Sequence, residues 1–344
     1  MQRRSFLALM TGVALCVSAP SVASADAVED FYSGKTITVI VPFSPGGTSS
    51  RFGDLMGRHF AKHVPGQPDL VFEYMPGGGG LVALNYVYAR AARDGTVLHM
   101  PDSSSPLNQL LQSDVAEYDA REFNWLGVVS QVHTVLVIRE DTGFKTLDDL
   151  KEMEVFIGSS GAGSETDMYP RLTNQLIGTK FNVLPGYTGG GSEIMPALES
   201  GEIDGSARSW TAWSQRMDLF DDNIIEPVIV YGRGRSPGLE NVPNLEELVE
   251  TEDDKRVVRL LSSAGPLGYG LGTPPGVPEE IVTALRKAFS DMMQDEEFRA
   301  DAEKSGLPLN NSLSGEEAQA LVVEALETPP ELVERAKQLI AVTE

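Results

Sequence analysis

The sequence predicts an α/β protein of two lobes facing each other across a cleft. Four segments read as strand, glycine-rich loop, helix, around Gly46-Gly47, Gly77 to Gly80, Gly161 to Gly163 and Gly189 to Gly191. They fall as two pairs, and each pair precedes a long β-rich run: "NWLGVVSQVHTVLVIRE" (124–140) and "IIEPVIVYGRG" (224–234). Runs longer than a typical strand suit crossings from one lobe to the other. Strand–helix alternation implies parallel strands with helices on their faces. Ligands in such sheets sit beyond the carboxyl ends of the strands, so two facing sheets make a hinged cleft.

The elements follow in order. "KTITVIVPF" (35–43) is a β-branched run and reads as a buried strand. After its turn, Phe52, Leu55, Met56, Phe60 and Val64 fall at helical spacing. A second strand spans 70–74, followed by four glycines and a helix marked by Leu81, Leu84 and Tyr88, which Asp94-Gly95 ends. "TVLHM" (96–100) is a third strand. The first long run begins the second lobe, where "TLDDLK" starts a helix and "EVFIGSSGAGSETD" (154–167) repeats the strand–loop–helix theme. Pro170 predicts that the helix after this loop begins late, near Asp167. "FNVLPGYTGGGSEIMPALESGEID" is the fourth instance, its helix closed by Gly201, and the tail is helical. The expected lobes are 26–131 with 228–344, and 132–227.

The first 25 residues read as an export leader. Arg3 and Arg4 form a basic end, "FLALMTGVALCV" is an apolar core too short for a stable anchor, and "ASA" (23–25) fits a cleavage site. The Arg-Arg-Ser-Phe-Leu run suits a twin-arginine signal, so either that route or the general secretory one is open, to a periplasmic destination. The alternative is a buried N-terminal helix. The only cysteine, Cys16, lies inside the leader, so the mature chain would have no disulfide, thiolate nucleophile or zinc–cysteine site.

The 344 residues carry a net charge of −23, and 41% are hydrophobic, enough for real cores. So acidic a surface repels nucleic-acid phosphates and anionic lipid. No phosphate-binding lysine motif or dinucleotide fingerprint is present, so no cofactor is expected. No G-x-S-x-G elbow exists: Ser160 has Gly158 before it but Ala162 after it. His59 and His63 stand four apart with "FAK" between them, and read as solvated helix histidines rather than a metal pair. His99 reads as a packed strand residue, and His133 lies near the expected hinge. The carboxylates show no localised pair, and nothing nominates a general acid and base. The chain is not expected to be an enzyme, and no catalytic or metal residue is assigned.

Glycine loops at helix N-termini hold an anion without a formal cation, through backbone N–H groups and the helix dipole. Thr48, Ser49 and Ser50 offer hydroxyls on one side, Ser164 and Thr166 on the other. Ser50 and Ser164 serve equally well as helix N-caps. Arg208, in "GEIDGSARSW", is placed for a bidentate carboxylate contact or for the surface. Tyr187, Trp210 and Trp213 line the cleft or pack beneath it.

Together "VPFSPGGTSS", "MPGGGG", "RDGTVL", "GYTGGGSEIMPALESGEID", "SPGLENVPNLEEL" and "GTPPGVPEEIVTALRKAF" resemble the solute receptors of tripartite tricarboxylate transporters, the TctC-like or Bug proteins. The likeness spans nearly the whole mature chain, in order. It implies a periplasmic Venus-flytrap fold, a periplasmic-binding-protein-like arrangement of two mixed sheets flanked by helices and joined by two crossing strands. It also implies reversible binding of a small organic carboxylate, di- or tricarboxylate, and delivery to a two-subunit membrane permease, with a monomer as the default. The residues it points to are Phe43, Ser44, Gly46, Gly47, Thr48 and Ser50 in the first loop, Gly78 and Gly79 in the second, and Asp102 and Ser103 after the third strand. From the second lobe it points to Ser160, Gly161, Ser164, Tyr187, Thr188 and Asp204; Arg208 is added on its chemistry alone. Ser50 stands where many relatives carry Asp, a change that favours a more anionic ligand or a different polar group. The rival functions are a ligand-presenting sensor for a membrane kinase, an exported enzyme acting on carboxylated substrates, and the effector domain of a regulator.

Overall fold

The computed structural model describes residues 22–232 and 238–341, with side chains from residue 27 onward. Residues 1–21 of the expected leader lie outside these, and 22–25 form the start of a helix, Val22–Tyr32.

Eleven strands form two mixed sheets among the described residues. The strands are β1 (Thr36–Val41), β2 (Asp69–Tyr74), β3 (Val97–His99), β4 (Asn124–Ser130), β5 (Thr134–Arg139), β6 (Glu154–Ser159), β7 (Lys180–Pro185), β8 (Gly205–Ser209), β9 (Ile225–Tyr231), β10 (Tyr269–Thr273) and β11 (Leu313–Ser314). The first sheet has the order β11-β4-β10-β3-β1-β2, and the second β7-β6-β8-β5-β9. β1 pairs in parallel with both β2 and β3, while β10 runs antiparallel to β3 and β4. In the second sheet β6 is parallel to β7 and β8, and β5 antiparallel to β8 and β9. Apolar side chains on both faces explain why β1 and β5 read as continuous hydrophobic runs rather than alternating ones.

The helix Thr48–Phe60 buries Phe52, Leu55, Met56 and Phe60, the stripe legible in the sequence. It packs on the first sheet with Glu279–Gln294, while Leu81–Arg90 and Gly315–Leu326 cover the opposite face through Leu84, Val87, Ala318 and Val322. His59 and His63 are not solvated as expected. Nε2 of His59 lies 3.0 Å from Asp301, and Nε2 of His63 lies 3.0 Å from Asp295, which tie this segment to the C-terminal helices. His99 is buried against Phe123, ring centroids 4.9 Å apart, and burial depresses its pKa to about 3, so it is neutral.

Two crossings differ in detail from expectation. The first long run breaks into β4 and β5 at 131–133, and these strands belong to different sheets. The second run does not cross at all: β9 pairs with β5 from Ile225 through Tyr231. The return comes instead at 262–268, just before β10, and lies against the first crossing, where Val132 N donates to Gly265 O at 2.8 Å. The expected assignment of 228–344 to the first lobe is corrected by packing. Leu245, Val249, Val257 and Leu261 join the core of the second sheet with Leu136 and Ile138, as do Val333 and Ala336 of the last helix. An amphipathic helix packs wherever its stripe finds an uncovered sheet face, and sequence separation does not disclose which face that is.

Pro170 is also a correction. The helix begins at Glu165, not at Asp167, and contains Pro170 in its second turn. It forgoes one backbone bond there, yet the ring is buried beside Tyr169 and Leu172.

Candidate ligand site between the lobes

Loops at the carboxyl ends of β1, β2 and β3 meet loops at the ends of β6, β7 and β8. The glycines show how closely. A Cβ on Gly79 would stand 2.8 Å from Ser164 N and 3.0 Å from Ala162 O, and one on Gly47 would stand 3.7 Å from the amides of Gly191 and Ser192. The lobes are therefore closed on each other. Gly79 has φ 60° and Gly161 has φ 116°, backbone regions that favour glycine.

A cavity of about 120 Å³ remains between them. Its wall brings together Phe43, Gly47, Thr48, Asp102 and Ser103 from one lobe with Ser160, Ser164 and Arg208 from the other. Ser49 and Thr166 join them on the wall, while the other residues that the resemblance pointed to do not. Ser50 points back along its own helix, its hydroxyl donating to Gly47 O at 2.9 Å; it is the third residue of that helix, and Gly47 rather than Ser50 holds the N-cap position. Ser44 and Gly46 lie at the outer edge of the first loop, and Gly78, Gly79 and Gly161 form the contact between lobes rather than the cavity wall. Tyr187 donates its hydroxyl to Glu202 at 2.7 Å and packs over Gly158, and Thr188 is exposed. Asp204 bonds to the backbone of Phe156, accepting from its N at 2.8 Å, and so pins β6 beside β8.

Several lining residues went unread in the sequence. Glu165 opens the second-lobe helix at the dipole-favoured first position. It takes a hydrogen bond from Ser103 Oγ at 3.1 Å and another from Thr134 Oγ1 at 2.6 Å. The Ser103 bond spans the lobes. Gly189, Gly190 and Gly191 also line the wall, with Ser209 and Tyr269. The hydroxyls of Ser209 and Tyr269 lie 2.9 Å apart, a second link between lobes, and the Tyr269 ring stacks on Phe52 with centroids 4.2 Å apart. The triple glycine was a visible signal at a helix start. Tyr269 had none, because β10 lies far along the chain and only sheet order brings it here.

The charges are unequal. Arg208 is 8% exposed, sits over Trp213 at 5.0 Å, and its Nη1 is buried with no hydrogen-bond partner. Burial lowers its pKa to about 10, so it stays charged at neutral pH. No carboxylate pairs with it among the described residues. Gly191 makes the room: a Cβ there would stand 3.2 Å from the guanidinium carbon. Trp213 is itself fixed below, its Nε1 donating to Val135 O at 3.0 Å. Asp102 also faces the cavity. Burial, with the charge of Glu165 adding to it, raises its pKa to about 7, and Ser104 N donates to its Oδ1 at 2.9 Å. Burial pushes Glu165 up as well, against the two hydroxyls that hold it. Thr166 Oγ1 lies 3.1 Å from Ser160 Oγ and 2.7 Å from Ser164 Oγ, a hydroxyl cluster beside these groups.

Outside the cleft, ligand atoms of His59, Asp295 and Glu297 come within 4.8 Å of one another. The ammonium of Lys62 meets both acids there, 2.6 Å from Asp295 and 2.9 Å from Glu297, which already answers their charge.

Two mixed sheets closed over a cavity of helix N-termini define a two-lobed solute-binding receptor. The chain belongs to the TctC family, described as tripartite tricarboxylate transporter family receptor, whose profile matches residues 59–335. A UPF0065 protein of Agrobacterium vitis, from the ttuE–ttuC′ intergenic region, is 28% identical over 306 residues, covering 87% of this chain and 82% of that protein. The periplasmic binding protein BugD has a similar structure, with TM-score 0.69 at 19% identity over 90% of this chain and 98% of its own. So does MatC of Rhodopseudomonas palustris, solved with bound malate, with TM-score 0.66 at 21% identity over 89% of this chain and 99% of its own.

Proposed function

We propose that this receptor captures a small organic carboxylate between its lobes in the periplasm and delivers it, as a monomer, to a two-subunit membrane permease. The observation that carries this is Arg208. A guanidinium buried without a counterion costs several kcal/mol, and an anion placed in the adjoining cavity offsets that cost. The helix N-termini at Thr48, Glu165 and Gly191 add dipoles of the same sign. Malate in MatC belongs to the same class of ligand. In this reading the ligand-contacting residues are Phe43, Gly47, Thr48, Ser103, Ser160, Ser164 and Arg208. Gly79 and Gly161 act by letting the lobes close. The moving bodies are residues 26–130 with 269–326, and 134–261 with 330–340, joined by three crossings at 131–133, 262–268 and 327–329. The leader over 1–25 accounts for export.

A thermal-shift screen of residues 26–344 against mono-, di- and tricarboxylates tests the reading. A ligand at a hundred times its Kd adds about 2.7 kcal/mol of stability. Arg208→Met should cost about 2–5 kcal/mol of binding for any carboxylate that scores. Wild-type affinity in that variant would remove the arginine from the site. A flat response across the whole panel, with amino acids among its monocarboxylates, would refute carboxylate capture.

A further inference from the structure

We infer that the preferred ligand is a small zwitterion, carrying one carboxylate and one ammonium group, rather than a di- or tricarboxylate. This rests on the carboxylate reading of the cleft and narrows it. Among the described residues the cavity wall holds one cation and two carboxyl groups: Arg208 against Asp102 and Glu165. No ion pair joins either acid to Arg208 among the described residues, so the acids do not serve to neutralise it. Each is held instead by neutral donors. Glu165 takes the hydroxyls of Ser103 and Thr134, and Asp102 takes the amide of Ser104 at Oδ1.

A second carboxylate on the ligand would enter a space already lined by two carboxyl groups, with no lysine or second arginine on the wall among the described residues. Like charges in a desolvated site oppose each other strongly. An ammonium reverses the sign of that interaction and brings three donors to oxygens that still accept. The displaced ionisation of Asp102, which burial and Glu165 together hold near pH 7, is the mark of a missing positive partner. Size agrees. A cavity of about 120 Å³ is close to the ~150 Å³ engineered cavity that accepts benzene, the scale of a short amino acid. Ser103 comes from one lobe and Glu165 from the other, so the acidic end is complete only when the cleft is shut.

Titration calorimetry at pH 7.5 compares length-matched probes: β-alanine against malonate and propionate, and γ-aminobutyrate against succinate and butyrate. At least one amino acid should bind at least about tenfold tighter than its matched partners. Asp102→Asn and Glu165→Gln, each confirmed as folded by circular dichroism, should reduce that preference, and the double variant should favour the dicarboxylate. Equal or tighter binding of the dicarboxylates by wild type, abolished by Arg208→Met, would overturn the zwitterion while leaving carboxylate capture standing. Silence of every probe would overturn both.

Discussion

Gly191→Ala isolates the placement of Arg208 from the presence of its charge. The residue opens the helix Gly191–Ser200 without a left-handed backbone, so alanine suits the main chain. The added Cβ would stand 3.2 Å from the guanidinium carbon and closer still to Nη2. Ordinary carbon contacts are ~3.5–4.0 Å, so the planar group must swing away from the helix terminus. Its escape is limited, because the side chain is buried over Trp213 and that ring is tied to β5. A displaced guanidinium loses charge-assisted bonding to the ligand, about 1.5–3 kcal/mol, or roughly a tenfold to hundredfold rise in Kd. Thermal stability of the empty protein should change by less than ~1 kcal/mol, since alanine at a helix start replaces glycine at little cost. Calorimetry with the best ligand, beside melts of both proteins, reads the two quantities. Unchanged Kd with unchanged stability would show that the guanidinium either does not hold the ligand or does not lie against residue 191.

Gly79→Ala should hold the lobes apart, because its Cβ would meet Ser164 N at 2.8 Å and alanine at positive φ costs about 1–2 kcal/mol; ligand affinity falls, and scattering profiles stay expanded on ligand addition. Wild-type compaction with ligand would sink this assignment of the loop contact. Tyr269→Phe removes the hydroxyl shared with Ser209 but keeps the ring on Phe52, so affinity should weaken by about 0.5–1.5 kcal/mol with little change in melting; a full loss of folding would mean the hydroxyl serves the core. The empty protein should lose stability as pH rises from about 4 to about 7. The pKa of Asp102 is raised from 3.8 to about 7 on folding, and a raised carboxyl stabilises the fold below its unfolded pKa and ceases to do so as it ionises. The full displacement corresponds to at most about 4 kcal/mol, and opening of the cleft caps the loss by rehydrating the group. Asp295 and Asp301, held low by Lys62 and His59 respectively, act in the opposite sense and below this window. Asp102→Asn should flatten the slope between pH 4 and 7 in melts; an unaltered slope would exclude Asp102 as its source.

The legible part of the fold was the part written locally. The stripe of Phe52, Leu55, Met56 and Phe60, the β-branched run of β1 and the glycines at 46–47 and 77–80 each specify their own segment without distant partners. The unread part depends on which surfaces meet. Helices 252–261 and 330–340 carry ordinary apolar stripes, and nothing in those stripes states that they cover the second sheet. Site residues divide in the same way. Gly47, Thr48 and Ser164 follow from strand–loop–helix spacing. Tyr269 and the inter-lobe bond from Ser103 to Glu165 follow only from sheet order and closure. Ser50, Tyr187 and Asp204 show the converse, since each has the right chemistry at the right strand end but spends it inside its own lobe.

Charge links these observations. With a net −23, the chain repels an approaching anion at long range, but screening in salt confines that field to about 10 Å or less. Inside the closed cleft screening is weak, and three helix N-termini with Arg208 favour negative charge while Asp102 and Glu165 favour positive charge. A zwitterion suits both regimes. It is uncharged overall and so crosses the acidic surface without cost, and it becomes two separate charges only when Arg208 faces one end and Asp102 with Glu165 the other. A dicarboxylate would meet repulsion twice, at the surface and again at the acidic wall. Raising ionic strength therefore provides a discriminating measurement. The association rate of a dicarboxylate should rise with salt as surface repulsion is screened, whereas that of an amino acid should stay nearly constant. Identical salt dependence for the two ligands would show that the acidic surface plays no part in the choice.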